Sequence, residues 1–279
     1  MNNRDIYDQV ASSILESLKE GVAPWRKSWT NSIPVLGTHK SIVTGQTYSG
    51  INAFVTTIVA EKKLYNSANW GTFKQWQGLG RSVAKDQKGT PVLFYKNLEV
   101  KNIDDELDLI PLAKRFYIFN EAQLAGYVPE LANEFESITE ADSILKNSPM
   151  AGISVTHGSP AYFPKLDLIT MPDLNEFKEP EFYYGTLFHE MGHAAGSEKR
   201  LNRKTLTDLN KFGSHEYSKE ELVAELTSAF LMAKSGLTAN IPESASYCAG
   251  WLKVLNNDTN LFISAASQAQ KAANYILGL

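Results

Sequence analysis

Residues 179–196 read EPEFYYGTLFHEMGHAAG, and inside them His189, Glu190, Met191, Gly192 and His193 spell the pattern H-E-x-x-H. On a helix, positions four apart share a face, so two imidazoles stand one turn apart with a carboxylate beside the first. That arrangement suits a metal ion held by His189 and His193, with Glu190 left over as a general base toward water. The stretch carries the marks of a helix. Glu179 and Glu181 favour its N-terminal end, Phe182, Leu187, Met191, Ala194 and Ala195 supply apolar positions, and Gly196 marks a stop.

A catalytic zinc takes three protein ligands and keeps one position open, so a third ligand belongs on a later element. Residues 217–236, YSKEELVAELTSAFLMAKSG, predict a helix. Ser218 and Glu221 match the capping box S-x-x-E, Leu222, Leu226, Ala229, Phe230 and Ala233 form an apolar face, and Gly236 ends it. Glu221 and Glu225 lie one turn apart on one side. Spacing leaves open which is the third ligand and which accepts a ligand imidazole N–H. A capping role for Glu221 and a solvated face for Glu225 are the plainer alternatives. His215 is read as a turn residue rather than a ligand. Tyr217 is placed to donate to a developing oxyanion, or else to pack before the helix cap. H-E-x-x-H followed by E-x-x-A-E resembles the zincins in which a Glu on a second helix completes the site. That resemblance implies Glu221 as ligand and Glu225 behind it.

At 279 residues the chain is long enough for two domains. The expected division is 1–125, a connecting segment 126–150, and 151–279. Its apolar fraction of 43% is ordinary for a globular protein, and no apolar run reaches the length of a membrane span. The N-terminus is charged and lacks a signal peptide's apolar core, and the single Cys248 excludes an internal disulfide. A cytoplasmic location and a monomer are the expectations, with Cys248 structural.

The formal net charge of −4 hides a division. Residues 21–103 carry 11 basic and 3 acidic side chains, whereas residues 104–279 carry 14 basic and 24 acidic ones. The basic block also holds four of the five Trp, and cations alternate with rings in PWRKSW (24–29) and WGTFKQW (70–76). Cations for a backbone and flat rings for bases are what single-stranded nucleic acid requires. The candidate contacts are Trp25, Arg26, Lys27, Trp29, Tyr48, Asn52, Trp70, Phe73, Lys74, Trp76 and Lys88. The alternative is that most of these rings are core. Helices are expected over 4–20, 50–63 and 72–80, two strands around Lys88 and Gly89 over 82–100, a loop over 102–111 and a strand over 114–120. Residues 153–172 suggest two strands, 196–217 a basic loop, and 241–279 one or two packing helices.

Five strings in the first half, PWRKSW, TGQTYSGINAF, W-x-TFKQW, KGTPVLFYK and FYIFNEAQ, resemble the single-stranded-DNA-binding N-terminal domain of the ArdC antirestriction family. Three in the second half, AYFPKLDLITMP, YYGTLFHEMGHAAGSEKRLNR and FGSHEYSKEELVAELTSAFL, are similar to that family's zincin-like metallopeptidase domain. The resemblance implies an α+β fold: a mixed α/β DNA-binding domain, then a mostly helical zincin-like domain with a small sheet. It implies a protein of plasmids, phages or other mobile elements that binds single-stranded DNA and protects incoming DNA from restriction. It also implies one Zn2+, with Mn2+ as an alternative, and a substrate-binding edge strand over 161–170 that includes Tyr162 and Asp167. Two functions compete: a zinc peptidase that cleaves protein bound on DNA, and a binding protein that shields single strands beside a silent metal domain. A purely structural zinc is disfavoured, because a closed four-ligand site needs no base such as Glu190.

Overall fold

The computed structural model describes residues 3–25, 36–101, 107–129, 137–150, 153–207, 215–237, 245–258 and 260–279. Its elements are helix α1 (Asn3–Lys19), strand β1 (Lys40–Ser41), α2 (Ile51–Lys63), β2 (Asn69–Thr72), α3 (Phe73–Gly78), β3 (Thr90–Lys101) and β4 (Leu107–Asn120). There follow α4 (Ser137–Asn147), β5 (Ser154–His157), β6 (Ala161–Phe163), β7 (Leu168–Met171), α5 (Pro180–Ala195), α6 (Lys204–Thr207), α7 (His215–Lys234), α8 (Ala245–Asn257) and α9 (Asn260–Leu277). The fold is α+β, with two small sheets among the helices.

The first sheet has the order β1-β2-β4-β3. Its main body is the β3–β4 hairpin, paired from Thr90 with Ile118 to Lys101 with Leu107. The loop expected over 102–111 therefore closes early, since β4 begins at Leu107; residues 102–106 lie outside the described residues. The strand pair expected over 82–100 is also corrected. Only β3 forms there, because its neighbour is β4 and a strand before Gly89 has no ladder to join. Residues 84–88 turn instead, with Asp86 at φ 64°, and the side chain of Gln123 holds them by donating to the Lys88 carbonyl and to Gln87 Oε1.

Strand β3 is a sheet edge, and its backbone is covered at one point by Asn52. The Asn52 amide donates to the Leu93 carbonyl at 2.6 Å and accepts from the Leu93 N–H at 3.0 Å. Asn52 thereby ties α2 to the sheet, much as a strand's own partner would. Phe54, on the same helix, meets Phe262 of α9 at 5.1 Å between ring centroids and Phe230 of α7 at 5.3 Å. Trp25 packs on Trp251 of α8 and Phe262 of α9. The buried apolar side chains of the N- and C-terminal halves thus belong to one continuous core.

The second sheet has the order β5-β7-β6. It contains three strands where two were expected, because Asp167 at φ 51° supports a tight turn between β6 and β7. Helix α7 starts at His215, so Ser218 lies within the helix and the expected capping box is not its N-terminus. Glu221 is released from capping and points to other work. Among the described residues, no helix is long and apolar enough to cross a membrane. Cys248 is buried.

The 3-10 turn Glu121–Gln123 closes the first sheet. Glu121 accepts from Ser67 Oγ and Asn69 Nδ2, both at 2.8 Å, and pairs with Arg81. Burial raises its carboxyl pKa, but the bonds from Asn69, Ser67 and Arg81 outweigh this and hold it below the usual range. A depressed folded pKa contributes stability that is present above the unfolded value of about 4.3 and is lost as pH falls through the folded one. Glu121→Gln is expected to cost about 1–2 kcal/mol at pH 7, with the gap to wild type closing as pH falls below the unfolded value of about 4.3 and through the depressed folded one. Urea unfolding of both proteins across that range measures it; a gap independent of pH contradicts the assignment.

Candidate metal centre

Helix α5 opens with Pro180 at its first turn, where a missing N–H costs nothing, and closes at Gly196. His189 and His193 project from one face toward α7. Their Nε2 atoms stand 3.1 Å apart, and Glu221 reaches both rings, with Oε2 at 3.5 Å from His189 Nε2 and Oε1 at 3.7 Å from His193 Nε2. Ligand atoms at the corners of a tetrahedron with bonds of about 2.0–2.2 Å are separated by about 3.3–3.6 Å. The separations of 3.1, 3.5 and 3.7 Å bracket that spacing, each imidazole facing a different Glu221 oxygen.

The charges point the same way. Burial works against a charged His189, but Glu221, Glu225 and Glu190 outweigh it and raise its pKa. Burial likewise raises Glu221, and the two histidines reverse the shift. A half-buried group of carboxylates that favours the charged form of His189 is an environment suited to a divalent cation. Both Nδ1 atoms turn away from the centre. His189 Nδ1 faces Glu225 Oε1 at 3.7 Å, and His193 Nδ1 faces Glu220 Oε1 at 3.1 Å. Glu220 is the one carboxylate of this group that the sequence reading missed. It sits next to Glu221, and only the twist of α7 against α5 separates their roles.

Glu190 is 8% exposed, beside the ring pair, and its charge is felt by His189 and by Tyr217. Burial and the Glu221 carboxylate push the Tyr217 hydroxyl up to about 12, so it remains a proton donor at the site. The β6–β7 turn docks on the end of α5. Tyr162 donates to Asp167 Oδ1 at 2.9 Å, and Arg200 grips both Asp167 oxygens while donating to the Ala194 carbonyl at 3.0 Å. Of the residues expected on the substrate strand, Tyr162 lies in β6, whereas Asp167 lies in the turn before β7, and the side chains of both are occupied in fastening the hairpin. What remains for an extended peptide is the backbone edge of β6, which has a strand neighbour on one side only. The expected basic loop 196–217 is also revised, since it contains α6, Arg203 is buried, and 208–214 lie outside the described residues. A second cluster, His157, Asp173 and Glu176, is fully open to solvent, and Glu176 is engaged by the Asp173 N–H.

Most of the rings singled out for nucleic acid are interior. Trp70 and Trp76 are 0% exposed, with Nε1 donating to His39 Nδ1 and to the Phe119 carbonyl. Trp25 and Tyr48 are buried, and the Asn52 amide is taken by Leu93. A ring covered on both faces cannot stack on a base, so these four rings are corrected to core, and Asn52 to the contact that covers the β3 edge. Arg26, Lys27 and Trp29 lie outside the described residues. Phe73, Lys74 and Lys88 are exposed. They are joined by a surface the sequence reading missed: Tyr117 is 50% exposed, and Phe119 packs edge-on to Phe73 at 6.4 Å. A side chain at Gly89 would strike Phe119 and Tyr117, so the glycine keeps the two rings side by side. The period-two run Arg115, Tyr117, Phe119 in β4 was the available signal.

The metal ligands meet because Gly192 lets the helices touch. A methyl there would stand 3.1 Å from the Ala224 Cα and 3.2 Å from the Thr227 Cβ. Gly192→Ala is expected to cost about 1–3 kcal/mol by overpacking and to weaken divalent-metal binding by parting Glu221 from the histidines. Thermal unfolding and chelator competition measure the two effects; unchanged metal affinity contradicts the account.

A family model described as the N-terminal domain of anti-restriction factor ArdC matches residues 4–119, and one described as a zincin-like metallopeptidase matches residues 139–268. The uncharacterized protein y4eC of Sinorhizobium fredii is 33% identical, over 98% of this chain and 91% of its own length. A DNA primase TraC of Escherichia coli is 32% identical over 98% of this chain, but the match spans only 20% of that protein. Crystal structures of the antirestriction ArdC protein from plasmid R388 superpose with a TM-score of 0.76 in metal-free and Mn(II)-bound forms. They are 30% and 31% identical and are matched over 96% and 97% of their length. The divalent-metal geometry of His189, His193 and Glu221 is therefore found in a chain that belongs to the ArdC antirestriction family and carries its zincin-like metallopeptidase domain.

Proposed function

We propose that this protein is a single-stranded-DNA-binding antirestriction protein whose zincin-like centre hydrolyses peptide bonds of proteins associated with that DNA. The observation that carries the reading is the convergence of His189, His193 and Glu221 with Glu190 retained beside them. A divalent ion, Zn2+ in our reading and Mn2+ as the alternative, would be held by those three residues and would supply Lewis-acid polarisation of a peptide carbonyl. Glu190 takes the proton from the attacking water and returns it to the leaving amine. The Tyr217 hydroxyl donates to the developing oxyanion. The free edge of β6 aligns the peptide, and Asp167 with Arg200 keeps that edge fixed relative to α5.

The DNA-binding face is the patch of Phe73, Tyr117 and Phe119 with Lys74, Lys88 and Arg115 around it. Exposed rings provide stacking, and the cations track the phosphates. A shielding role without proteolysis is the second reading. It is favoured by the fact that this patch lies on α3, β4 and the turn before β3 and shares none of its residues with the metal site.

Glu190→Gln separates the two. It is expected to retain metal and single-stranded-DNA binding and to lose proteolysis by several orders of magnitude. Survival of antirestriction in Glu190→Gln assigns protection to shielding and overturns the peptidase reading as its cause. Phe73→Ala with Tyr117→Ala is expected to weaken binding of single-stranded DNA at least about 10-fold, since each stacked base contributes about 1–3 kcal/mol. Affinity of the wild type is expected to fall steeply with salt. Fluorescence anisotropy with an oligothymidylate, at several salt concentrations, measures both; unaltered binding by the double variant places the interface elsewhere.

A further inference from the structure

Around Glu220 the hydrogen bonds are complete. Arg203 holds it through two donors, with Nε at 3.1 Å from Oε2 and Nη2 on Oε1. Thr205 Oγ1 donates to Oε2 at 2.6 Å, and His193 Nδ1 stands 3.1 Å from Oε1. Arg203 is always charged and donates only, and the Thr205 hydroxyl donates as well, so the remaining approach to the carboxylate is that of a donor. His193 therefore carries its hydrogen on Nδ1, which leaves the Nε2 lone pair facing His189 and Glu221.

The pair is costly for a structural element. Side-chain exposure is 4% for Arg203 and 5% for Glu220, and Arg203 Nη1 is buried with no hydrogen-bond partner. Buried ion pairs can be exchanged for apolar side chains of similar volume with little or no loss of stability. The surroundings are nevertheless shaped to keep it. Arg203 Nη2 also donates to the Gly192 carbonyl at 2.7 Å, inside the H-E-x-x-H turn. A side chain on Gly196 would stand 2.5 Å from the guanidinium carbon, so the helix end is left bare to admit it. His189 has no equivalent: Glu225 stands 3.7 Å from its Nδ1, too far for a hydrogen bond.

We propose that Arg203 and Glu220 are the positioning pair of the metal centre: Arg203 clamps Glu220, and Glu220 fixes the tautomer and ring orientation of His193, so that its Nε2 is presented for metal binding. The inference rests on the metal-centre reading but not on proteolysis. Outer-sphere partners of this kind typically change metal affinity by about 10–100-fold.

The test replaces the pair with apolar side chains, Arg203→Met with Glu220→Leu, in the full chain. Zn2+ affinity is measured by chelator competition, and the His193 tautomer by long-range 15N–1H correlation in the metal-free protein at a pH where the ring is neutral. The expected result is a fold as stable as wild type, loss of the Nδ1–H tautomer, and Zn2+ binding weakened about 10–100-fold. Arg203→Met with Glu220→Gln keeps an acceptor on His193 and is expected to restore both readouts in large part. If the first variant does not fold, Glu220→Asp withdraws the carboxylate by one methylene and is read in the same two ways. Zn2+ affinity within twofold of wild type in a folded clamp variant, or an unchanged tautomer, overturns the proposal. His189→Ala serves as the control for the centre itself. If it binds Zn2+ as tightly as wild type, the metal-centre reading fails, while the metal-free tautomer still judges the clamp.

Discussion

The close contact of α5 with α7 at Gly192 is the constraint on which the rest of the site depends. Without a side chain at that position, the Ala224 backbone comes within van der Waals reach of the H-E-x-x-H turn. Every later relation follows from that approach: Glu221 spans both imidazoles, Glu225 faces one Nδ1, and Glu220 bonds the other. Helix α7 is in turn positioned from its far end, where Phe230 meets Phe54 of α2. The ligand-bearing helix is thus wedged between the zincin-like segment and the core it shares with the N-terminal half.

That shared core changes how the aromatic block is read. Four of the five tryptophans precede residue 80, and the count suggested a stacking surface. Trp25, Trp70 and Trp76 are instead the largest pieces of the interior, each closing a gap between layers. The rings that reach solvent are smaller ones, among them Phe73 at the start of α3, Phe94 on β3 and Tyr117 on β4. Burial of a large ring is strongly favoured wherever a core can accept it, so ring content reports core volume before it reports ligand contact.

Charge is distributed with the same economy. Around the histidines the carboxylates differ: Glu221 and Glu225 face the imidazoles, whereas Glu220 is also neutralised by Arg203. At the other end of α5, Arg200 and Asp167 hold the β6–β7 turn, so the helix that bears the histidines also carries the strand edge beside them.

The sequence alone placed the candidate ligands, His189 and His193 on one helix face and Glu221 or Glu225 on a second helix. H-E-x-x-H and E-x-x-A-E depend only on helical periodicity, which is a local property, and Gly192 and Gly196 could be read as part of the same turn. Helices α2, α3, α5 and α7 were legible for the same reason. The register of the hairpin was not, because strand pairing depends on which segment is available opposite, and residues 82–84 find only an isolated bridge at Leu124. Only the tertiary structure decided that Glu220 serves His193, that Asn52 closes a sheet edge, and that Trp70 and Trp76 are core. Each of these is set by what lies across a packing interface, and composition and spacing along the chain carry no record of that.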